Sequence, residues 1–258
     1  MILKILAVGD LVGAAGVKKL KTELPKIREN EKIDFVIVNG ENAGEGMGIT
    51  KKNFDDILSE KVDVITMGNH TWGKKDIFSF IDHPKILRPA NYCNTVPGKG
   101  YNIYEYGNKK IAVINLIGRV DMNVLSENPF LTAKTIVEKL QDKTDIIIID
   151  FHAEATAEKI ALGYFLDGKV TAIFGTHTHV QTADEVVLEK GTAYISDIGM
   201  TGPKKSVIGM DISASIKRFE TTLPERYRIA GGECILNGVI FDIDDIKNKV
   251  INIKRVKI

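Results

Sequence analysis

Short apolar runs alternate with stretches of helical periodicity along most of the chain. The apolar runs are rich in β-branched residues and are often followed by Gly, Asn or Asp, which is typical of strands. The predicted strands are Leu3–Val8, Phe35–Val38, Val62–Met67, Tyr101–Tyr106, Ile111–Leu116, Ile146–Ile149, Val170–Phe174, Tyr194–Ser196, Ile235–Ile243 and Val250–Val256. The predicted helices are Val17–Glu29 with an interruption at Pro25, Asn53–Glu60, Lys74–Ile81, Leu131–Gln141 and Glu154–Leu166.

The order of these elements predicts an α/β fold, with antiparallel strands added after residue 100 and at the C-terminus. Gly107-Asn108 between two predicted strands indicates a tight hairpin. The loop from Ile86 to Gly100 is long, and loops of this kind often border functional sites. Because no repeat and no linker rich in Pro, Gly or Ser interrupts the pattern, we predict a single domain over residues 1–258.

Composition and charge narrow the classes of partner. Hydrophobic residues make up 44% and charged residues 27%, which is ordinary for a globular protein. The 35 basic and 34 acidic residues give a net charge of +1, so no strong field attracts nucleic acid or anionic membranes. Cys93 and Cys234 are expected to be free thiols in a reducing compartment. The apolar N-terminal segment contains Lys4 and ends before Asp10, so it is too short for the apolar region of a signal peptide. We therefore expect a cytoplasmic location.

Polar side chains follow five of the predicted strands at the point where each strand ends. Because ligands bind at the carboxyl ends of the strands in an open α/β sheet, we expect these side chains to lie close together. They are Asp10, Glu41, Asn42, Asn69, His70, His152, His177 and His179.

The residue types indicate a metal site. Carboxylate, amide and imidazole groups suit Mn, Fe or Zn, and no candidate is a thiolate. Without His70, the seven candidate ligands are too many for one tetrahedral ion and suit two ions that share a bridging carboxylate and water. Two ions about 3.5–4 Å apart can hold both the attacking and the leaving oxygen of a phosphoryl group and can lower the pKa of bound water. The pattern therefore predicts hydrolysis of a phosphoester.

Each candidate also has a structural interpretation when it is considered alone. Asp10 could cap a helix, Glu41-Asn42 could form a polar turn, and His152 could be an ordinary hydrogen-bonded histidine. His177 and His179 are harder to explain in this way, because an extended segment would place both on one side.

Two further features are assigned no role in the site. Gly9, Gly13 and Gly16 lack the Gly-x-Gly-x-x-Gly spacing of a dinucleotide-binding loop, and a tight turn into a helix explains them better. His83 precedes Pro84 and is expected at the surface.

The segments that carry these residues resemble the calcineurin-like metallophosphoesterases. Gly68-Asn69-His70 matches one block of that superfamily, and Gly175-Thr176-His177-Thr178-His179 matches its terminal block with Thr176 inserted. Val12 stands where the superfamily has a metal-binding histidine, and Glu41 stands where it usually has a bridging aspartate. The bacterial YmdB-like phosphodiesterases share both departures, and the chain is similar to them essentially end to end. The similar blocks are Gly9–Gly13, Asn39–Ala43, Met67–Trp72, Arg88–Asn91, Asp150–Thr156 and Gly199–Pro203.

This resemblance implies a four-layer α/β/β/α sandwich of two mixed sheets flanked by helices. It also implies two metal ions, often iron, although Mn and Zn accept the same ligands, and hydrolysis of cyclic nucleotides, particularly 2′,3′-cyclic ones. The ligands implied for the first metal are Asp10, Glu41, Asn42 and His179. The ligands implied for the second are Glu41 as the bridge, Asn69, His152 and His177.

The mechanistic hypothesis is that a metal-bridging hydroxide attacks phosphorus and that His70 protonates the leaving 2′ oxygen, which gives a 3′-nucleotide. The alternatives are a phosphomonoesterase or phospholipid diesterase that uses the same metals, or a regulatory nucleotide-binding module. The expected partner is a small cyclic nucleotide, with neither a membrane nor a stable nucleic-acid partner, and the resemblance suggests self-association. Arg88 and Asn91 are candidates for the rim of the site or for a simple turn at Pro89.

Overall fold

The structure, a computed structural model, describes residues 2–226 and 228–258. Met1 and Tyr227 belong to the predicted domain 1–258 but lie outside the described residues. The strands are β1 (Ile2–Val8), β2 (Asp10–Leu11), β3 (Phe35–Asn39), β4 (Val64–Thr66), β5 (Ile86–Leu87), β6 (Tyr101–Tyr106), β7 (Lys109–Ile117), β8 (Ile146–His152), β9 (Ala172–Thr176), β10 (Val186–Val187), β11 (Ala193–Ile195), β12 (Met200–Pro203), β13 (Cys234–Ile235), β14 (Asn237–Asp244) and β15 (Lys249–Lys257). The helices are α1 (Gly13–Glu31), α2 (Lys51–Ser59), α3 (Pro129–Leu140), α4 (Thr156–Leu166) and α5 (Ile212–Thr221), and a 3₁₀ helix spans Lys75–Ser79.

Most of these strands form two mixed sheets of six strands each. The first sheet has the order β15-β14-β1-β3-β4-β5, and the second has the order β10-β11-β9-β8-β7-β6. The central strands of both sheets run parallel, as the α/β pattern predicts. The predicted hairpin joins β6 to β7, and β14 and β15 are the antiparallel additions at the C-terminus. Strands β13, β12 and β2 form a small third sheet, and β2 follows β1 almost directly along the chain.

The alternation of side chains along each strand produces three apolar layers. Ile5 of β1 and Ile148 of β8 lie in a core between the two sheets. Leu6 faces the other way and packs in a second core that includes Leu20 of α1. Ile149, next to Ile148, lies in a third core beneath α3 and α4. The order of layers is therefore helix, sheet, sheet, helix, which confirms the expected sandwich.

The predicted interruption of the first helix at Pro25 is wrong, because α1 runs unbroken from Gly13 to Glu31. A proline inside a helix removes one hydrogen bond and costs about 3 kcal/mol. The continuous helix buries Leu20, Leu24 and Ile27 on one side. Each fully buried Leu or Ile contributes about 1.5–3 kcal/mol, so burial outweighs the cost of the proline.

Two other predicted elements are shorter or divided. The predicted helix Lys74–Ile81 contains only a 3₁₀ helix of five residues. The spacing of Ile77, Phe80 and Ile81 suggests a longer helix, but this short turn and the residues after it already bury all three side chains. The predicted strand Ile235–Ile243 is divided into β13 and β14, which belong to different sheets.

The sequence pattern does not predict β2, β5, β10, β12 or α5. The four strands have two to four residues each, too few to show a period. The helix α5 has Ile212, Ile216 and Phe219 at helical spacing, but all three are exposed and only Ser215 is buried. Among the described residues, no helix combines the length and apolarity needed to span a bilayer.

The chain leaves β1 through Gly9 at a close crossing with another segment. A Cβ atom on Gly9 would lie 1.9 Å from the carbonyl oxygen of Gly199. The N–H of Gly9 also donates to the carbonyl of Asn237 at 3.0 Å. Because backbone atoms fill the space beside Gly9, glycine is required there. This crossing determines where the next residue, Asp10, enters the site.

We predict that Gly9→Ala lowers the free energy of unfolding by at least about 2 kcal/mol, because the new methyl group forces two backbones apart. Gly231→Ala is the matched control, since a Cβ atom there meets nothing within 4 Å, and its effect should stay within about 0.5 kcal/mol. Chemical denaturation measures both variants. Equal stabilities for the two would show that the crossing tolerates a side chain.

Candidate metal centre

The eight predicted site residues lie together at the carboxyl ends of the strands. Asp10 begins β2, His152 ends β8, and the other residues lie in the loops that follow β3, β4 and β9. Each of them has a polar contact of 3.2 Å or less with another member of the set. Both sheets therefore contribute donors to one site.

Glu41 and His152 occupy the middle of the site, and both are fully buried. The Nε2 atom of His152 lies 3.1 Å from Oε1 of Glu41, 2.8 Å from Oδ1 of Asn69 and 3.0 Å from Nδ1 of His177. One possible ligand atom each from Glu41, His152 and His177 lies within 4.8 Å of the others, a spacing that a single cation can bridge. Gly68 permits this crowding, because a Cβ atom there would lie 2.4 Å from Oε2 of Glu41.

A second group of donors lies on the other side of Glu41. The Nε2 atom of His179 lies 3.2 Å from the amide nitrogen of Asn42 and 3.8 Å from Oδ1 of Asp10. Asp10 is fully buried, and its Oδ1 has no hydrogen-bond partner. A buried carboxylate oxygen without a donor is costly, so this oxygen is suited to a cation.

His70 lies at the edge of the donor cluster. Its Nδ1 atom lies 2.7 Å from Oδ1 of Asn42, and its backbone N–H donates to Oε2 of Glu41 at 2.9 Å. The side chain is 31% exposed, whereas Glu41 is fully buried. His70 is therefore fixed to the site while part of its ring remains accessible.

Each of the three inner histidines has a polar partner near the nitrogen that faces away from the cluster. The Nδ1 atom of His152 lies 2.9 Å from Oγ1 of Thr176, and the Nε2 atom of His177 lies 3.2 Å from Oε2 of Glu154. The Nδ1 atom of His179 lies 2.8 Å from the carbonyl oxygen of Ile208. Outer partners of this kind orient the imidazoles of metal sites.

Burial and mutual attraction set the charges of these groups. Burial alone would raise the pKa of Glu41, but the attraction of His152 outweighs it and lowers this pKa to about 2. Attraction to Glu41 likewise overcomes burial and raises the pKa of His152 to about 9. Burial, together with the nearby His152, lowers the pKa of His177 to about 3. Burial also raises the pKa of Asp10. His177 is therefore neutral at pH 7, with a lone pair available to a cation.

The donor set and its geometry fit metal ions. The cluster supplies only oxygen and nitrogen atoms, which suits Mn, Fe or Zn. The unpaired oxygen of Asp10 and the close approach of Glu41, His152 and His177 are the observations that carry this assignment.

The loop that contains His177 and His179 is supported by a buried ion pair. The sequence pattern does not predict this pair. The Nζ atom of Lys159 lies 2.8 Å from Oδ2 of Asp197, and both side chains are almost fully buried. Asp197 also accepts from the N–H of Thr178 at 3.1 Å and from that of Gly199 at 2.8 Å. The pair therefore holds the turn that contains His177, whose φ of 102° lies in the left-handed region.

The remaining sequence candidates lie outside the donor cluster. Arg88 is buried and donates to the carbonyl oxygens of Pro89 and Pro97, and Asn91 donates to that of Ile117. Both side chains stabilise the loop, as the turn interpretation predicts. His83 is exposed, as expected.

Val12 and the two cysteines also take no part in the cluster. Val12 is fully buried in an apolar position. Cys93 and Cys234 are free, as predicted.

The model of the family described as YmdB-like protein matches residues 6–256. The chain belongs to the YmdB-like family. One relative is a 2′,3′-cyclic-nucleotide 2′-phosphodiesterase of Bacillus subtilis (strain 168), which is 49% identical over 257 residues, 99% of this chain and 97% of that protein.

Two solved structures are similar to this chain over almost its whole length. The crystal structure of a novel phosphatase from Mycoplasma pneumoniae has a TM-score of 0.95 and 37% identity, covering 100% of this chain and 94% of that one. A putative 5′-nucleotidase from Staphylococcus aureus has a TM-score of 0.66 and 15% identity, covering 99% of this chain and 54% of that one. At that identity the second likeness shows the fold alone.

We predict that Lys159→Met lowers the free energy of unfolding by about 3–5 kcal/mol, because it leaves Asp197 as a buried charge without its partner. Lys205→Met, at an exposed lysine, is the control and should change stability by less than about 0.5 kcal/mol. Thermal and chemical denaturation of the metal-free proteins measure both effects. A Lys159→Met protein as stable as the control would show that the pair is not needed to hold the loop.

Proposed function

We propose that this protein is a metal-dependent phosphodiesterase that hydrolyses 2′,3′-cyclic nucleotides to 3′-nucleotides. The observation that carries the proposal is the convergence of carboxylate, amide and imidazole donors on the buried Glu41. The name of the Bacillus subtilis relative supports the substrate class, because that protein is similar over nearly the whole of both chains.

Two cations would be held by the seven ligands predicted from the sequence, with Glu41 shared between them. The ligands of the first are Asp10, Glu41, Asn42 and His179. The ligands of the second are Glu41, Asn69, His152 and His177. When bound, the metals supply a positive charge that neutralises the phosphate and a water of lowered pKa as the nucleophile. Iron is the metal we propose, with Mn and Zn as ions that the same donors accept.

Asn42 links the first set of ligands to His70. Its amide nitrogen lies 3.2 Å from Nε2 of His179, and its oxygen accepts from Nδ1 of His70 at 2.7 Å. With Nδ1 donating to Asn42, a second proton on Nε2 makes His70 the imidazolium that a general acid requires.

His70 is the general acid of the proposed reaction. Its partly exposed ring lies beside the buried donors, and an imidazole can donate a proton near neutral pH. Protonation of the 2′ oxygen as its bond to phosphorus breaks leaves the phosphate on the 3′ oxygen.

We also infer a cytoplasmic location, which the free thiols of Cys93 and Cys234 support, and self-association.

The proposal is tested by comparing substrates on protein that is first stripped of metal and then reloaded with Fe²⁺, Mn²⁺ or Zn²⁺. We expect 2′,3′-cyclic AMP to be converted to 3′-AMP only after reloading, and faster than p-nitrophenyl phosphate is hydrolysed. Preference for p-nitrophenyl phosphate would indicate a phosphomonoesterase instead. Binding of the nucleotide without any product would indicate a binding module.

Histidine variants test the assignment of ligands in the same preparation. We predict that His179→Ala reduces the bound metal per chain, because it removes an imidazole beside Asp10. His83→Ala removes an exposed histidine away from the cluster and should bind as much metal as the natural protein. Metal content is measured by elemental analysis after gel filtration. Equal metal content in the two variants would remove His179 from the ligand set.

We predict that His70→Ala retains its metal but lowers kcat by about 10²–10⁴, the usual contribution of a general acid. The measurement combines metal analysis with turnover of 2′,3′-cyclic AMP. Loss of the metals together with turnover would make His70 a ligand rather than the acid.

A further inference from the structure

Thr176, the residue inserted in the terminal block, lies directly behind His152. Its Oγ1 atom lies 2.9 Å from Nδ1 of His152 and 2.7 Å from Oδ1 of Asp150. All three side chains are fully buried. The opposite ring nitrogen, Nε2 of His152, faces Glu41 and Asn69. Thr176 therefore joins a buried carboxylate to the far side of this imidazole.

The other oxygen of Asp150 accepts hydrogen bonds from the first sheet. Its Oδ2 atom lies 3.1 Å from the amide nitrogen of Asn39 and 2.5 Å from Oγ1 of Thr66. An amide NH₂ group can only donate, so Asp150 acts as the acceptor in this contact. An ionised carboxylate can only accept hydrogen bonds, so Oδ1 of Asp150 accepts from the hydroxyl of Thr176 at 2.7 Å.

The count of hydrogens then fixes the tautomer of His152. A threonine hydroxyl has one hydrogen and two lone pairs. Because that hydrogen is donated to Asp150, Oγ1 of Thr176 can only accept from Nδ1 of His152. The imidazole must carry a proton on Nδ1, so in the neutral ring Nε2 is the nitrogen whose lone pair faces the donor cluster.

We propose that Asp150 and Thr176 are positioning residues that fix this tautomer and so present Nε2 of His152 to a metal ion. Neither residue belongs to the predicted ligand set, and the inference rests on the proposed function because it concerns the same site. Partners that orient a ligating histidine typically contribute 10- to 100-fold to metal affinity. The inserted Thr176 then has a chemical role, because its hydroxyl links the carboxylate of Asp150 to the imidazole of His152.

The test compares zinc binding by the full chain and by two variants at one position. Thr176→Val keeps the shape of the side chain but removes the hydroxyl, and Thr176→Ser restores it. We expect the Zn²⁺ affinity of T176V, measured by competition with a chromogenic chelator, to fall about 10- to 100-fold. The affinity of T176S should be close to that of the natural protein. The melting temperature of each metal-free variant shows whether it folds.

A spectroscopic measurement needs no substitution of Thr176 and remains decisive should T176V not fold. In the zinc-loaded natural protein, ¹⁵N NMR of the imidazoles should show a protonated Nδ1 at His152, with the signal assigned by its absence in His152→Gln. A proton on Nε2, or natural zinc affinity in a folded T176V, would overturn the positioning role alone. Failure of the natural protein to bind any of the three metals would instead overturn the proposed function.

Discussion

Two carboxylates buried in one small space are the constraint on which the site depends. Glu41 and Asp10 have no solvent exposure, and an isolated buried charge costs several kcal/mol even after the protein relaxes. His152 balances Glu41 directly, whereas Oδ1 of Asp10 has no donor. This local excess of negative charge needs positive partners, and it explains why histidines from several loops converge on the same place.

The residues around the carboxylates hold the imidazoles rather than add further ligands. Glu154, Thr176 and the carbonyl of Ile208 each contact the outward nitrogen of one histidine. His177 and His179 also adopt positive φ angles of 102° and 67°. Strained backbone of this kind persists only where the surroundings over-determine it. The hydrogen bond that Asp197 accepts from the N–H of Thr178 supplies part of that restraint.

Sequence reasoning succeeds here where the physical signal is local. The run Ile146–Ile149 predicts a strand buried on both faces, and the structure places alternate residues of that strand in two different cores. Polar residues just after such runs could be assigned to one edge of the sheets for the same reason. Pro25 shows the limit of local rules, because burial of the helix around it exceeds its cost in hydrogen bonding.

The supporting contacts could not be predicted in this way, because they join distant parts of the chain. Lys159 pairs with Asp197, 38 residues further along the chain. The sequence around each residue gives no sign of which residue it will pair with. Asp150 lies within one of the similar blocks and Thr176 within the terminal block, yet their connection to His152 depends on the register of β8 and β9. The helix α5 is different, because Ile212, Ile216 and Phe219 recur at helical spacing and Asp211 caps the first turn, so its signal was local and was overlooked.

The contact between Asn39 and Asp150 spans 111 residues and joins the two sheets beneath the donor cluster. A nascent chain that has emerged from the ribosome only as far as residue 140 contains both buried carboxylates, Asp10 and Glu41, but none of the three inner histidines. Such a chain has the negative charge of the site without its imidazoles and cannot complete either half of it. With the proposed ligands, the site is therefore complete only after the second sheet, which carries the three inner histidines, has formed.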